Sequence, residues 1–531
     1  MNRTILMVTL AALSLVSPLT AQGQAEVQKL GAVHFPVSCT TAAQQQFDRA
    51  LALLHNFWYP QDLNAFTEIT KTDPNCAMAY WGIAMSRRAN PLVGAPSPAV
   101  LKDGLDAVNH AKALGANTQW ERDYVEAIGQ YYQDWETVDY ATRVLAYEKA
   151  MEQVYRHYPE DSEAAVFYAL AINEAITVLP ADKNFTRQLK AGGILEKVLS
   201  TQPEHPGALH YLIHTYDFPG LADRGLAAAQ KYGDVASAAP HALHMPSHTY
   251  SMLGMWQESI KANQAALAVA EGYAHALDFM VYAYLQGAQD NEAKRGVERS
   301  IALRKKQTAP NANPTGAVLA GYTALAAIPA RYVIERGAWA DAAALQIEPA
   351  TPVADSLTYF TRAMGSARTG DLGSARENIE HLRQIAAGLA QAKDDYWAQQ
   401  VEILRSASTA WLGYGEGRKE TALKQMRVAA DLEDGSEKHV AMENRLWPMR
   451  ELLGDMLLAA NKPALALKEY ELSLQSAHNR YRGIYGTAKA AQLSGDRAKA
   501  RSYYDKLLAL CRVSDTERAE LVEARKYLAQ K

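Results

Sequence analysis

Six of the fourteen histidines in this 531-residue chain fall between positions 205 and 248, in the segments HPGALHYLIH and HALHMPSH. His210 and His214 are four residues apart, and so are His244 and His248. Residues four apart on a helix share a face, with Cβ atoms roughly 5–6 Å apart, so each pair is a chelating pair. Neutral imidazole suits zinc, copper, iron and nickel, and a carboxylate adds a harder ligand. With Asp278 the candidate metal-ligand set is His210, His214, His244, His248 and Asp278. His205, His241 and His275 stand around it, with Asn173, Glu174 and Tyr282 placed to orient the ligands or transfer a proton. No cysteine pair accompanies them, which argues against an iron–sulfur site or a structural zinc knuckle; the expected cofactor is a transition metal, copper or zinc. An ion with an open position polarises a substrate or activates water. The chain has no P-loop, no GxGxxG, no nucleophile elbow and no HExxH, so the residues name no reaction.

The elements that must carry these side chains are helices. Ala, Leu, Glu, Gln and Lys dominate, apolar residues recur at i, i+3, i+4 and i+7, and Gly, Pro or Asp breaks interrupt them at helix-hairpin intervals. An internal period is the stronger sign. A shift of 34 residues lays Pro206, Ala208, Leu209, His210, His214, Thr215, Tyr216 and Gly220 on Pro240, Ala242, Leu243, His244, His248, Thr249, Tyr250 and Gly254. A second shift lays His241-Ala242-Leu243 on His275-Ala276-Leu277. The same step maps Ala464 to Ala498, Tyr470 to Tyr504 and Leu474 to Leu508.

A 34-residue period in a helical chain resembles the tetratricopeptide repeat family. Tyr250, Gly254, Trp256 and Ala266 match its pattern, as do the closing prolines Pro74, Pro159 and Pro203. Ser247 stands where a smaller residue is the rule, and Pro246 sits inside a helix. CAMAYWGIAMS, HMPSHTYSMLGMW, IPARYVIERGAW and RELLGDMLL further resemble exported bacterial proteins of this repeat type, whose activity is not established. The resemblance implies an all-α superhelix of antiparallel helix hairpins, with the first helix of each repeat lining a concave groove. In that register His210 and His244 are equivalent, as are His214 and His248, and all four face the groove. Neighbouring first helices pack roughly 8–10 Å apart, so the two pairs can converge on one ion with Asp278. The rival reading is a metal-free scaffold whose groove binds a protein or peptide, the default use of such repeats.

The remaining features bound the setting. The net charge is −4 with no basic block, which disfavours nucleic acid as a partner. Arg3, the apolar run Ile5–Val16 and the small residues Ala21–Ala25 read as a signal peptide over 1–24, giving a periplasmic or secreted protein; the run is too short to span a membrane, and no other segment approaches twenty apolar residues. The expected organisation is a repeat array over 25–290 carrying the His-rich groove, an irregular helical stretch over 291–350, and a second array over 351–531. In an oxidising compartment Cys39 and Cys76 pair and leave Cys511 alone; otherwise all three are buried thiols.

Overall fold

Turn chemistry divides the chain into short helices that return on one another. The computed structural model describes residues 28–306, 317–439 and 445–530. The segment expected from sequence to be a signal peptide, with Ile5–Val16 and Ala21–Ala25, lies outside the described residues. Among the described residues there are twenty-six helices, from Thr41–His55 to Ala519–Leu528, and no strand. Consecutive helices pack as antiparallel hairpins, and the hairpins stack into the tetratricopeptide-type superhelix that the 34-residue period implies. None of these helices is long and apolar enough to cross a membrane.

Local signals place the helices that matter most. Pro206, Pro240 and Pro246 each open a helix, where the missing N–H costs nothing and the fixed φ already suits the turn. His205 caps the helix Pro206–Thr215, its Nδ1 accepting from the Ala208 N–H at 3.2 Å. Pro246 has no N–H to give its own helix. The ladder therefore divides into Pro240–His244 and Pro246–Leu253, while Met245 keeps right-handed helical angles between them. The Pro246 helix ends at Gly254, whose φ of +67° is the left-handed cap that glycine adopts without strain.

The N-terminal segment is part of the fold. Ala32 N–H donates to the Glu204 carbonyl at 3.3 Å, and Phe35 is buried against Phe47, Trp81, Trp120 and Tyr124. Cys39 and Cys76 form a disulfide across 37 residues, and Cys511 is a buried free thiol. Within the stretch 291–350, the helix Ala317–Glu335 packs against both Ala274–Gln286 and Pro352–Thr369. The C-terminal repeats also touch the middle of the chain. Trp256 donates from Nε1 to the Asn479 carbonyl at 2.9 Å, His478 Nδ1 bonds the Met252 carbonyl at 2.9 Å, and Arg518 pairs with Asp290.

Candidate metal centre

Four helices deliver six imidazoles to one place. The Pro206–Thr215 helix carries His210 and His214 on one face, ring centroids 4.9 Å apart. The Pro240 and Pro246 pieces carry His241, His244 and His248. The Ala274–Gln286 helix carries His275 in its first turn. The nitrogens sort into two triads. In the first, His210, His214 and His241 bring one nitrogen each within 4.8 Å of the other two; in the second, His244, His248 and His275 do the same. Within them, His210 Nε2 lies 3.0 Å from His241 Nε2, and His244 Nε2 lies 3.1 Å from His248 Nε2. Nitrogens that share an ion at about 2.0–2.1 Å each stand about 3 Å from one another. Phe57 packs on the rings of the first triad and Phe279 on those of the second.

Three of the far nitrogens, on His210, His244 and His248, are held by acceptors, and that decides their tautomers. His210 donates from Nδ1 to the His55 carbonyl at 2.6 Å. His244 donates from Nδ1 to Asn263 Oδ1 at 2.7 Å, and the Asn263 amide is oriented by its own donation to the Ser259 carbonyl. His248 donates from Nδ1 to Asp217 Oδ2 at 2.8 Å, an oxygen that also accepts from Lys438 Nζ at 2.8 Å. His241 Nδ1 bonds the Tyr273 hydroxyl at 2.9 Å. A proton on Nδ1 leaves Nε2 as a bare lone pair in a neutral ring. The Nε2 atoms of His244 and His248 therefore face each other as two lone pairs at 3.1 Å. Both nitrogens of His214 are buried and have no hydrogen-bond partner among the described residues.

Protonation does not relieve this arrangement. Burial drives the His210 imidazole down to about 3 and the His244 imidazole to about 4. Burial first, and then the neighbouring imidazoles, hold His214, His241, His248 and His275 well below the ordinary histidine value. Six neutral rings are the protonation state that metal ligation requires. Asp217 is pushed up to about 6 by burial, an effect opposed by Lys438.

A third group shows what a closed histidine cluster looks like. His55 Nε2 and His205 Nε2 stand 2.8 and 3.1 Å from the two oxygens of Glu163, while His55 Nδ1 bonds the Tyr211 hydroxyl at 3.0 Å. Burial would raise the Glu163 carboxyl, but the two imidazoles hold it well below its usual range. Every nitrogen here is engaged by an ordinary hydrogen bond, so the group needs no ion. It fixes His55, whose carbonyl holds His210, and Gly207 leaves it room: a Cβ there would come within 2.4 Å of His55 Nδ1.

The structure distributes the expected site residues as follows. The four histidines expected at one ion divide between two triads, because each HxxxH pair meets the first-turn histidine of the following repeat. His241 and His275, expected around the ligands, complete the triads. Asp278 is outside both: Arg331 donates to its carboxylate from Nε at 3.0 Å. Glu174 is buried in an ion pair with Arg88, and Tyr282 accepts from Arg480 at 2.5 Å. Asn173 donates to Thr215 Oγ1 at 2.9 Å, steadying the end of the Pro206 helix. His205 belongs to the Glu163 group. Sequence reading missed Asp217, Asn263, Tyr273 and Lys438. Their contacts span 19 to 221 residues with no periodic signature; the one visible sign was that Asp217 follows His214 by three residues.

A cavity of about 550 Å³ opens onto the triads. His214 and His241 of the first triad and His248 and His275 of the second line it, with Phe57, Trp58, Tyr59 and Tyr273 as aromatic walls. A smaller space of about 110 Å³ lies on the other side of His275, lined by Asp278, Arg331, Lys438 and Trp447.

No known family model matches the chain, and no curated protein matches it. Among solved structures the chain is similar to Naa15/Naa10 bound to HypK-THB, at 14% identity over 92% of this chain and 73% of that one, with a TM-score of 0.24. It is also similar to the APC/C hetero-tetramer Cut9-Hcn1, at 10% identity over 92% of this chain and 83% of that one, with a TM-score of 0.33. Likeness at that level carries no argument about function; the fold reading stands on the hairpins and period of this chain.

Proposed function

We propose that this is an exported repeat protein that binds a transition metal, copper or zinc, through the imidazoles of its groove. One observation carries the reading: His244 and His248 turn two lone pairs on each other at 3.1 Å, with both far nitrogens committed to acceptors. Neutral rings repel in that arrangement, and a cation between them turns the repulsion into ligation. The absence of thiolate or carboxylate from either triad favours copper or zinc over the harder cations. The Cys39–Cys76 disulfide fits an oxidising compartment and supports export. A cavity walled by aromatic rings at the metal makes room for a small molecule, so catalysis at an open metal position is within the chemistry of the site.

The test is elemental analysis of protein purified without a histidine tag. Stoichiometric copper or zinc is expected, lost in His244→Ala and His248→Ala while far-ultraviolet circular dichroism keeps its helical signal. Metal should raise the wild-type melting temperature by mass action and leave those variants unmoved. Metal-free protein whose melting ignores both ions would refute the reading and return the groove to a protein- or peptide-binding role.

A further inference from the structure

Resting on the metal reading, the geometry points to a dinuclear centre: two ions, one per triad, bridged by a small anion drawn from the shared cavity. The two triads are one motif written twice. His210, His214 and His241 become His244, His248 and His275 under the same 34-residue step, so one repeat translation carries a whole three-nitrogen site onto the next. The series stops on both sides. One step earlier the positions hold Ile176, Pro180 and Gly207; one step later they begin with Asp278, which Arg331 engages, and Tyr282, which Arg480 engages.

Spacing joins the copies. His214 and His248 rings lie 5.9 Å apart across the boundary, and His241 and His244 lie 6.1 Å apart. Those separations match the longest within a triad, 6.0 Å between His214 and His241. The two sites are therefore neighbours in one cluster rather than separate stations along the superhelix. Three nitrogens also leave an ion with an open position. Two imidazoles from each triad line the same cavity, so both open positions face one space.

Charge selects the bridging ligand. Six neutral imidazoles add nothing to offset two cations. The carboxylate behind them, Asp217, already serves Lys438. A small anion between the ions, hydroxide from water in the simplest case, supplies the missing negative charge.

Copper(II) is the probe, because a bridged pair couples its two unpaired electrons. Wild-type protein titrated with copper(II) should take up two ions per chain, with a paramagnetic resonance signal that integrates to a small fraction of the bound copper. His210→Gln with His214→Gln should drop copper to one per chain and raise the signal to one spin per copper. His248→Gln with His275→Gln should do the same from the other side. Circular dichroism verifies that each variant is folded, and each keeps one triad intact as its internal control. Azide should titrate as one anion per copper pair in the wild type. One copper per chain in the wild type would overturn the dinuclear centre and leave the metal reading standing. Two coppers with full spin intensity would overturn the bridge. No uptake of copper, with none of zinc either, would remove both readings.

Discussion

Asp217 shows how a residue outside the ligand set governs it. Its Oδ2 accepts from His248 Nδ1 and from Lys438 Nζ, both at 2.8 Å, so it fixes the tautomer that leaves the His248 Nε2 lone pair facing His244 Nε2, where the proposed ion would bind. A carboxylate behind a ligating imidazole also makes the ring a better base. Asp217→Asn keeps the shape and removes the charge. Metal affinity, measured by competition with a chelator, should fall about 10–100-fold, the usual cost of losing such a support. Asp278→Asn is the matched control. Its carboxylate engages Arg331, so the substitution should lower the melting temperature and leave metal affinity unchanged. A fall in affinity for Asp278→Asn equal to that for Asp217→Asn would contradict the assignment of roles.

The segment that presents His244 and His248 is secured at both ends. Pro240 opens it, Pro246 interrupts its ladder between His244 and His248, and Gly254 closes it in the left-handed region. A Cβ on Gly254 would also lie 2.5 Å from the His478 carbonyl and 2.6 Å from Asn479 Cβ. Backbone from a distant repeat therefore fills the space a side chain would need. Gly254→Ala combines an unfavourable φ with a clash that backbone does not easily relieve. We expect a loss of about 1–3 kcal/mol in chemical denaturation, with a drop in melting temperature to match. Gly415→Ala meets chiefly the end of the flexible Leu372 side chain and should cost less. Equal effects at the two glycines would show that the contact with residues 478 and 479 is unimportant.

Across the whole molecule the price of the site appears as a pH dependence. Folding buries six imidazoles in neutral form, His210 lowered to about 3 and His244 to about 4, while an unfolded histidine titrates near about 6.5. Between those values the unfolded chain takes up protons that the folded chain refuses, so these groups withdraw stability as pH falls below about 6.5. Buried carboxylates such as Asp217 and Asp278, raised by burial, act in the opposite sense, so the comparison must be internal. In metal-free protein, melting temperature should fall more steeply from pH 6.5 to 4.5 in the wild type than in the His210→Gln, His214→Gln variant. Parallel slopes would contradict the burial of neutral rings. Bound metal should resist acid down to the unfolding transition, with release and loss of helical signal coinciding.

The period of 34, the helix-hairpin rhythm and the pairing of His210 with His214 and of His244 with His248 were all legible in the residues. They depend on local geometry, and helical spacing fixes which side chains share a face. Cys39 and Cys76 were likewise marked as partners by their setting, though sequence left buried thiols as an alternative. The division into triads was not legible. It depends on the rotation between successive repeats, which carries His241 and His275 to the preceding pair and turns Asp278 toward Arg331. The tautomers depend on Asn263, on Asp217 and on the His55 carbonyl, brought in from 19, 31 and 155 residues away. Sequence alone determined that this chain is a helical repeat array with imidazoles on one face. Tertiary structure decided which imidazoles meet and which way their lone pairs point, because those facts belong to packing between repeats and not to spacing within one.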